Sequence, residues 1–295
     1  MSFGIILINK PKDRTSFSII AQMRRVIGIR KMGHTGTLDP FAEGLLPVCI
    51  GKATRLVDRL ITDTKTYEVV VKLGEKTDTG DVTGNVIETK PVGEELPLDS
   101  LSEFVLNLKN QIPPKYSAIK INGHRAYKLA RLNRDFKMES RPIEVFDFSI
   151  IDYQTPILKY SVKVSKGTYI RTLSESIAEH LGTVGVTTEL VRTEIGRFRI
   201  EDAVLPDDLT AENWQNYLIP IPQLFPNLEQ IVLDDDNSAL FANGRTILGD
   251  IPDNDELIAV DTEGNFLGFC LVEKGNIKPR MVFVSGKKYS KNSGI

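Results

Sequence analysis

Cysteine and histidine are scarce in these 295 residues, two of one and three of the other, and each scarcity removes a class of chemistry. Cys49 in "LLPVCIG" and Cys270 in "FLGFCLV" stand in separate apolar contexts, so they read as buried thiols rather than a disulfide. His34, His124 and His180 do not pair with one another or with a cysteine at metal-ligand spacing, which predicts no structural or catalytic zinc. No apolar run approaches the roughly 20 residues that span a bilayer. The opening "MSFGIILINKPKDRTS" lacks the basic lead, long apolar stretch and small-residue cleavage site of a secretion signal. A cytoplasmic protein with no membrane partner is expected.

Cofactor signatures are missing as well. "GKAT" at 51–54 has part of a phosphate loop, but the preceding glycine is too far away and Ala53 fills the place of the required Ser or Thr. No G-x-G-x-x-G follows a strand. "DTGDVTGN" lacks calcium-loop spacing and reads as a turn. Neither G-x-S-x-G nor a cysteine-nucleophile loop is present. What remains is an enzyme or a binder that needs no cofactor.

What is there is an ordinary globular composition, 41% hydrophobic and 26% charged, in a chain long enough for one large domain and a small appended one. "GIILINKP" reads as a strand ended by Pro11. "RTSFSIIAQMRRVIG" reads as an amphipathic helix capped by Thr15 or Ser16 and stopped at Gly28. "ATRLVDRLI" is a second helix. "TYEVVVKLGEKTDTGDVTGNVIE" buries Tyr67, Val69, Val71 and Leu73 on one face and returns through "KTDTGD" as a hairpin. Further strands, "RPIEVFDFSIIDYQ", "ILKYSVKVS" and "TTELVRTEIGRF", mix with the helices "LSEFVLNLKNQ" and "IRTLSESIAEHLG". Irregular alternation with many hairpin signals predicts an α+β fold on a mixed, mostly antiparallel sheet, with helices and loops around a cleft. A Pro-rich stretch, "LIPIPQLFPNLEQ", separates residues 1–228 from a small β-rich domain at 229–295.

The net charge is only −2, yet residues 1–60 carry ten Lys or Arg against four Asp or Glu. That local positive field surrounds "GHTGTLDPFAEGLLPV", in which Asp39 sits among glycines, a histidine and two prolines. An Asp before Pro is ordinarily a turn or cap residue, and catalysis is the rarer reading.

The motifs "INKPKDRTS", "GHTGTLDPFAEGLLPV", "KTYEVVVKLGEKTDTGDVTG", "PPKYSAIKINGHRAY" and "KGTYIRTL" together resemble the TruB-type bacterial tRNA pseudouridine synthases, in the family's order from residue 5 to about 200. The tail "GNFLGFCLVEKGNIKPRMVF" is similar to the small PUA-like RNA-binding domain that such enzymes carry. The resemblance implies a cofactor-free catalytic domain at 1–228, a PUA-like domain at 229–295, and isomerisation of uridine 55 in the T loop of tRNA after the base is flipped out. It implies Asp39 as nucleophile, with Arg171 pairing its carboxylate so that it stays ionised. Tyr67 is implied as the aromatic on the flipped uracil, His34 as the contact where the base leaves, and Tyr169 and Leu190 as uracil-pocket residues. Lys10 and Lys31 are expected on RNA phosphates. Taken singly, each has a plainer reading: core packing for Tyr67, Tyr169 and Leu190, a loop histidine, a helix-start arginine, solvated lysines. Glu43 and Val191 depart from the family, the first adding an acid near Asp39 and the second removing a basic contact.

Two other readings remain open. An RNA-binding or RNA-folding module would show the same basic cluster and tail, and the other reading is the same isomerisation on another RNA, as in the related guide-dependent enzymes of ribosomal RNA modification. Stand-alone action on the T stem-loop by a monomer is preferred, because there is no long basic extension and a groove between two domains needs one chain.

Overall fold

Alternation in "TKTYEVVVKL" produces the strand Thr64–Leu73, whose every second side chain from Lys65 to Leu73 is buried. In the computed structural model, which describes residues 3–60, 64–132 and 134–284, this strand lies inside a mixed sheet. Contacts divide the chain into two units. The larger contains Ile6–Cys49 and Thr54–Tyr217; the smaller takes the residues up to Ile5, Ile50–Ala53, and the chain from Leu218 onward. Residues 285–295 of the expected tail domain lie outside the described residues.

In the larger unit the sheet runs Val145–Gln154, Ile157–Ser165, Thr64–Leu73, Gly185–Ile195, Glu43–Ile50 and Gly4–Lys10. The first three pairings are antiparallel and the fourth, Gly185–Ile195 with Glu43–Ile50, is parallel, in keeping with the expected mixed, mostly antiparallel α+β sheet. Helices Leu98–Leu106 and Ile170–His180 supply Leu101, Val105, Leu173 and Ile177 to the buried cluster that holds Val69, Val71, Leu158 and Tyr160. Each such side chain contributes roughly 1.5–3 kcal/mol when fully buried, which is ample to hold helix against sheet. The helix Ser16–Ile27 begins where Thr15 Oγ1 accepts the Ser18 N–H at 3.0 Å and stops at Gly28, whose φ of 74° suits glycine.

Two local expectations need correction. The strand Thr64–Leu73 does not pair with the segment that follows the "KTDTGD" turn. Its two edges are taken by Ile157–Ser165 and Gly185–Ile195, so the return strand Val86–Thr89 pairs with the short extension Glu75–Thr77 instead. "GKATRL" winds as a 3₁₀ turn, and of the expected second helix only Val57–Leu60 is α-helical among the described residues, Ile61 lying outside them.

The smaller unit is β-rich. Gln230–Leu233, Asn254–Asp261, Phe266–Glu273 and Asn276–Val282 form a sheet in that order, parallel in its first pair and antiparallel after it. The helix Asp235–Ala242, started by Asp234 accepting the Asn237 N–H, buries Phe241 against it. Cys49 and Cys270 are both free and buried.

The parallel contact in the larger sheet depends on one glycine. Gly44 is paired with Arg192 at φ 104°, and a Cβ there would stand 2.4 Å from the Arg192 carbonyl oxygen and 2.8 Å from its nitrogen. Gly44→Ala is therefore expected to destabilise the larger unit by about 2–3 kcal/mol, read as a lower urea midpoint. An unchanged midpoint would contradict the close approach.

Candidate active site

Asp39 sits in the loop between the strands Met32–His34 and Glu43–Ile50. The loop is held from several sides. Ser16 Oγ accepts the Leu38 N–H at 3.0 Å, Thr35 N–H donates to Pro47 O at 3.2 Å, and Leu38 and Phe41 are buried plugs on either side of the Asp-Pro pair. The Asp39 side chain is left 36% exposed, its Oδ2 2.9 Å from Arg171 Nε.

Arg171 projects from the first turn of helix Ile170–His180 and is itself buried. Its Nη1 lies 3.3 Å from Asp81 Oδ2 and donates to Thr79 O at 2.7 Å, while Nη2 donates to Tyr116 O at 3.0 Å. Every nitrogen of the guanidinium is thus engaged, which fixes its plane. Asp81 is buried as well, and its Oδ1 accepts from the Thr83 N–H at 2.9 Å and from Thr79 Oγ1 at 3.0 Å. Sequence reading passed over Asp81 as part of a turn. The available signal was the pattern "TGDVT", which places hydroxyls two residues to either side of the carboxylate.

One arginine between two carboxylates leaves the cluster with a net negative charge. Burial pushes the Asp39 carboxyl above its usual range; Arg171 opposes this, and Asp81 pushes the same way as burial. A carboxylate with a raised pKa is a stronger base and nucleophile than a free aspartate, and the ion pair fixes its direction.

Tyr67 is 7% exposed, on the central strand between Val162 and Arg192, in the same buried cluster as Leu38, Phe41 and Leu190. Its ring is core, as strand alternation predicts, and its hydroxyl favours the charged form of Arg192 on the neighbouring strand. Tyr169 stands immediately before the Arg171 helix. Its backbone is gripped by the side chain of Gln111, which accepts the Tyr169 N–H at 2.8 Å and donates to its carbonyl at 2.9 Å. Burial raises the Tyr169 hydroxyl pKa, and the Asp39 charge adds to that rise, so the two side chains are near neighbours electrostatically. The structure thus sets Arg171 against the Asp39 carboxylate, with Tyr169 two residues before it at the helix start, and puts Tyr67 and Leu190 in the buried cluster that also holds Leu38 and Phe41.

His34 is partly buried with an unpartnered Nδ1, and burial, aided by Arg192, lowers its pKa, so the ring is neutral near pH 7. Lys31 is exposed. Lys10 is not a surface phosphate contact: it is fully buried, and its Nζ donates to Pro11 O at 3.0 Å, Arg14 O at 2.7 Å and Pro40 O at 3.3 Å. Burial lowers its pKa to about 8 against the opposing charges of Glu43, Asp13 and Asp39. The unusual Glu43 therefore faces a buried ammonium that offsets it. Among the described residues, no group of three or more His, Cys, Asp or Glu could hold a metal ion, and no helix is long and apolar enough to cross a membrane.

The family model for TruB family pseudouridylate synthase (N terminal domain) matches residues 24–170. A tRNA pseudouridine synthase B from Clostridium tetani is 38% identical over 287 residues, covering 93% of this chain and 97% of that one. This chain belongs to the TruB family. The corresponding Bacillus subtilis protein is 33% identical over 305 residues, covering 95% of this chain and 97% of its own. A chain from the crystal structure of a Cbf5-Nop10-Gar1 complex shares the fold with a TM-score of 0.68 at 23% identity, covering 98% of this chain and 87% of that one. A pseudouridylate synthase is an isomerase, and so is this enzyme. The matched region contains Asp39, Tyr67 and Asp81, and it ends one residue before Arg171.

The charge balance around Asp39 yields a direct test. In carboxyl-carbon NMR titrations, Asp81→Asn should move the Asp39 midpoint down, since it removes a negative neighbour and leaves Arg171 to Asp39 alone. Arg171→Met should move it up. A midpoint indifferent to both changes would show that the three groups are not coupled.

Proposed function

We propose that this enzyme converts uridine 55 in the T loop of tRNA to pseudouridine, with Asp39 as the nucleophile. The curated relatives named as tRNA pseudouridine synthases support the substrate class. The observation that carries the reading is the part-exposed carboxylate held 2.9 Å from an arginine that a second, buried carboxylate also engages. A module that only binds RNA has no use for a part-exposed carboxylate held in this way.

The isomerisation breaks the bond between ribose C1′ and uracil N1, turns the base, and joins C1′ to C5. The C5 hydrogen leaves as a proton and N1 gains one, so no atoms or electrons are gained or lost overall. Asp39 attacks the ribose or the uracil and is released when the new bond forms. Its raised pKa favours attack, and Arg171 stabilises it as leaving carboxylate. Tyr67 contacts the flipped uracil and helps remove the C5 proton, while Tyr169 and Leu190 line the pocket. Aromatic stacking is worth about 1–3 kcal/mol per base, comparable to the few kcal/mol that flipping costs.

His34, uncharged at neutral pH, fills the space the base leaves, and Lys31 meets a phosphate. Lys10 acts from inside by tethering Pro40, the residue after the nucleophile. The smaller unit is a PUA-like RNA-binding domain, and the enzyme works as a cytoplasmic monomer on the T stem-loop.

The test uses a tRNA transcript tritiated at uracil C5, with tritium release to water as the readout. Wild-type enzyme should release it. Asp39→Asn should lose at least about 10³-fold in rate, the scale of removing a nucleophile, while its RNA affinity stays within about threefold. Equal release by wild type and variant would remove Asp39 from the chemistry.

A further inference from the structure

Arg192 is the largest fully buried side chain of the described residues, and no role was read for it from sequence. Its Nε donates to Leu45 O at 2.8 Å and its Nη2 to Gly36 O at 3.0 Å. These two carbonyls bracket the loop that carries Asp39. Its backbone lies between the strands on both sides, paired with Gly44 in one and with Tyr67 in the other. From the neighbouring strand, the Tyr67 hydroxyl favours the charged form of the guanidinium against burial.

A buried guanidinium is costly unless its donors are satisfied, and an apolar side chain of similar volume would pack such a site at less expense. Arg192 donates to two carbonyls. It disfavours the charged forms of Lys10 and His34. The two carbonyls belong to the two ends of the loop that carries Asp39.

We propose that Arg192 is a positioning residue, a rigid fork that holds both ends of the 36–45 loop against the strand that carries Tyr67 and so sets tyrosine against carboxylate. The inference rests on the proposed pseudouridine synthesis. The planar guanidinium also explains why lysine is no substitute: an ammonium does not reproduce a fork that reaches Leu45 O and Gly36 O from two separate nitrogens.

The experiment compares wild type, Arg192→Lys and Arg192→Gln in single-turnover tritium release from a tRNA transcript, with RNA affinity and thermal midpoint measured alongside. Both variants should lose at least about tenfold in rate while RNA affinity stays within about threefold. In the folded wild type, the Arg192 Nε–H resonance in nitrogen-15 NMR should exchange slowly and shift on Tyr67→Phe. An active wild type whose variants stay within about twofold overturns the inference and leaves the functional reading standing. Rate, affinity and thermal midpoint falling together would make Arg192 merely structural. If neither variant folds, the NMR decides, and an unmoved Nε–H signal overturns the inference. A wild type that releases no tritium removes the underlying function, and the inference with it.

Discussion

A single buried guanidinium shared by two carboxylates is the constraint on which the site turns. Arg171 can neutralise one negative charge, and Asp81, anchored by threonines and closed off from water, holds one side of it permanently. Asp39 therefore receives orientation from the arginine without full neutralisation, and it keeps the higher basicity that burial confers. Removing either member of the buried Arg171–Asp81 pair costs about 3–5 kcal/mol, because the partner is left uncompensated. The same interaction thus ties three distant parts of the chain together: the Asp39 loop, the turn after the central strand, and the first turn of the helix Ile170–His180.

That cluster is held in place by backbone geometry more than by further charge. Gly44 lets two strands approach until a Cβ on one would touch the other's backbone, and this brings Arg192 to the loop that carries Asp39. Gln111 clamps the residue before the helix, and so places the arginine that follows. Lys10, inside the protein, fastens Pro40 from beneath. Each is a polar group buried with its partners satisfied, the arrangement that gives a loop a single conformation.

Much of this was legible from residue type and order. The alternation of Tyr67 to Leu73, the cap at Thr15 and the stop at Gly28 are local signals that tertiary packing did not override. Asp39 and Arg171 stood out because their motifs resemble a family's. The misses share one physical cause, which is that burial is not written in residue type. Lys10 looked like a solvated lysine, yet its ammonium is enclosed by three carbonyls. Asp81 looked like turn punctuation, and Arg192 like one more strand residue, because their partners are far away in sequence. The hairpin failed for a related reason: the central strand prefers distant partners on both edges over the nearby one.

The most direct test of the central claim is to map pseudouridine at single-nucleotide resolution, by carbodiimide modification and primer extension, in an unmodified tRNA transcript treated with the pure enzyme. The account predicts one new pseudouridine, at position 55 of the T loop, and none when the enzyme carries Asp39→Asn. Modification at another uridine, or an Asp39→Asn enzyme that still marks position 55, would contradict it.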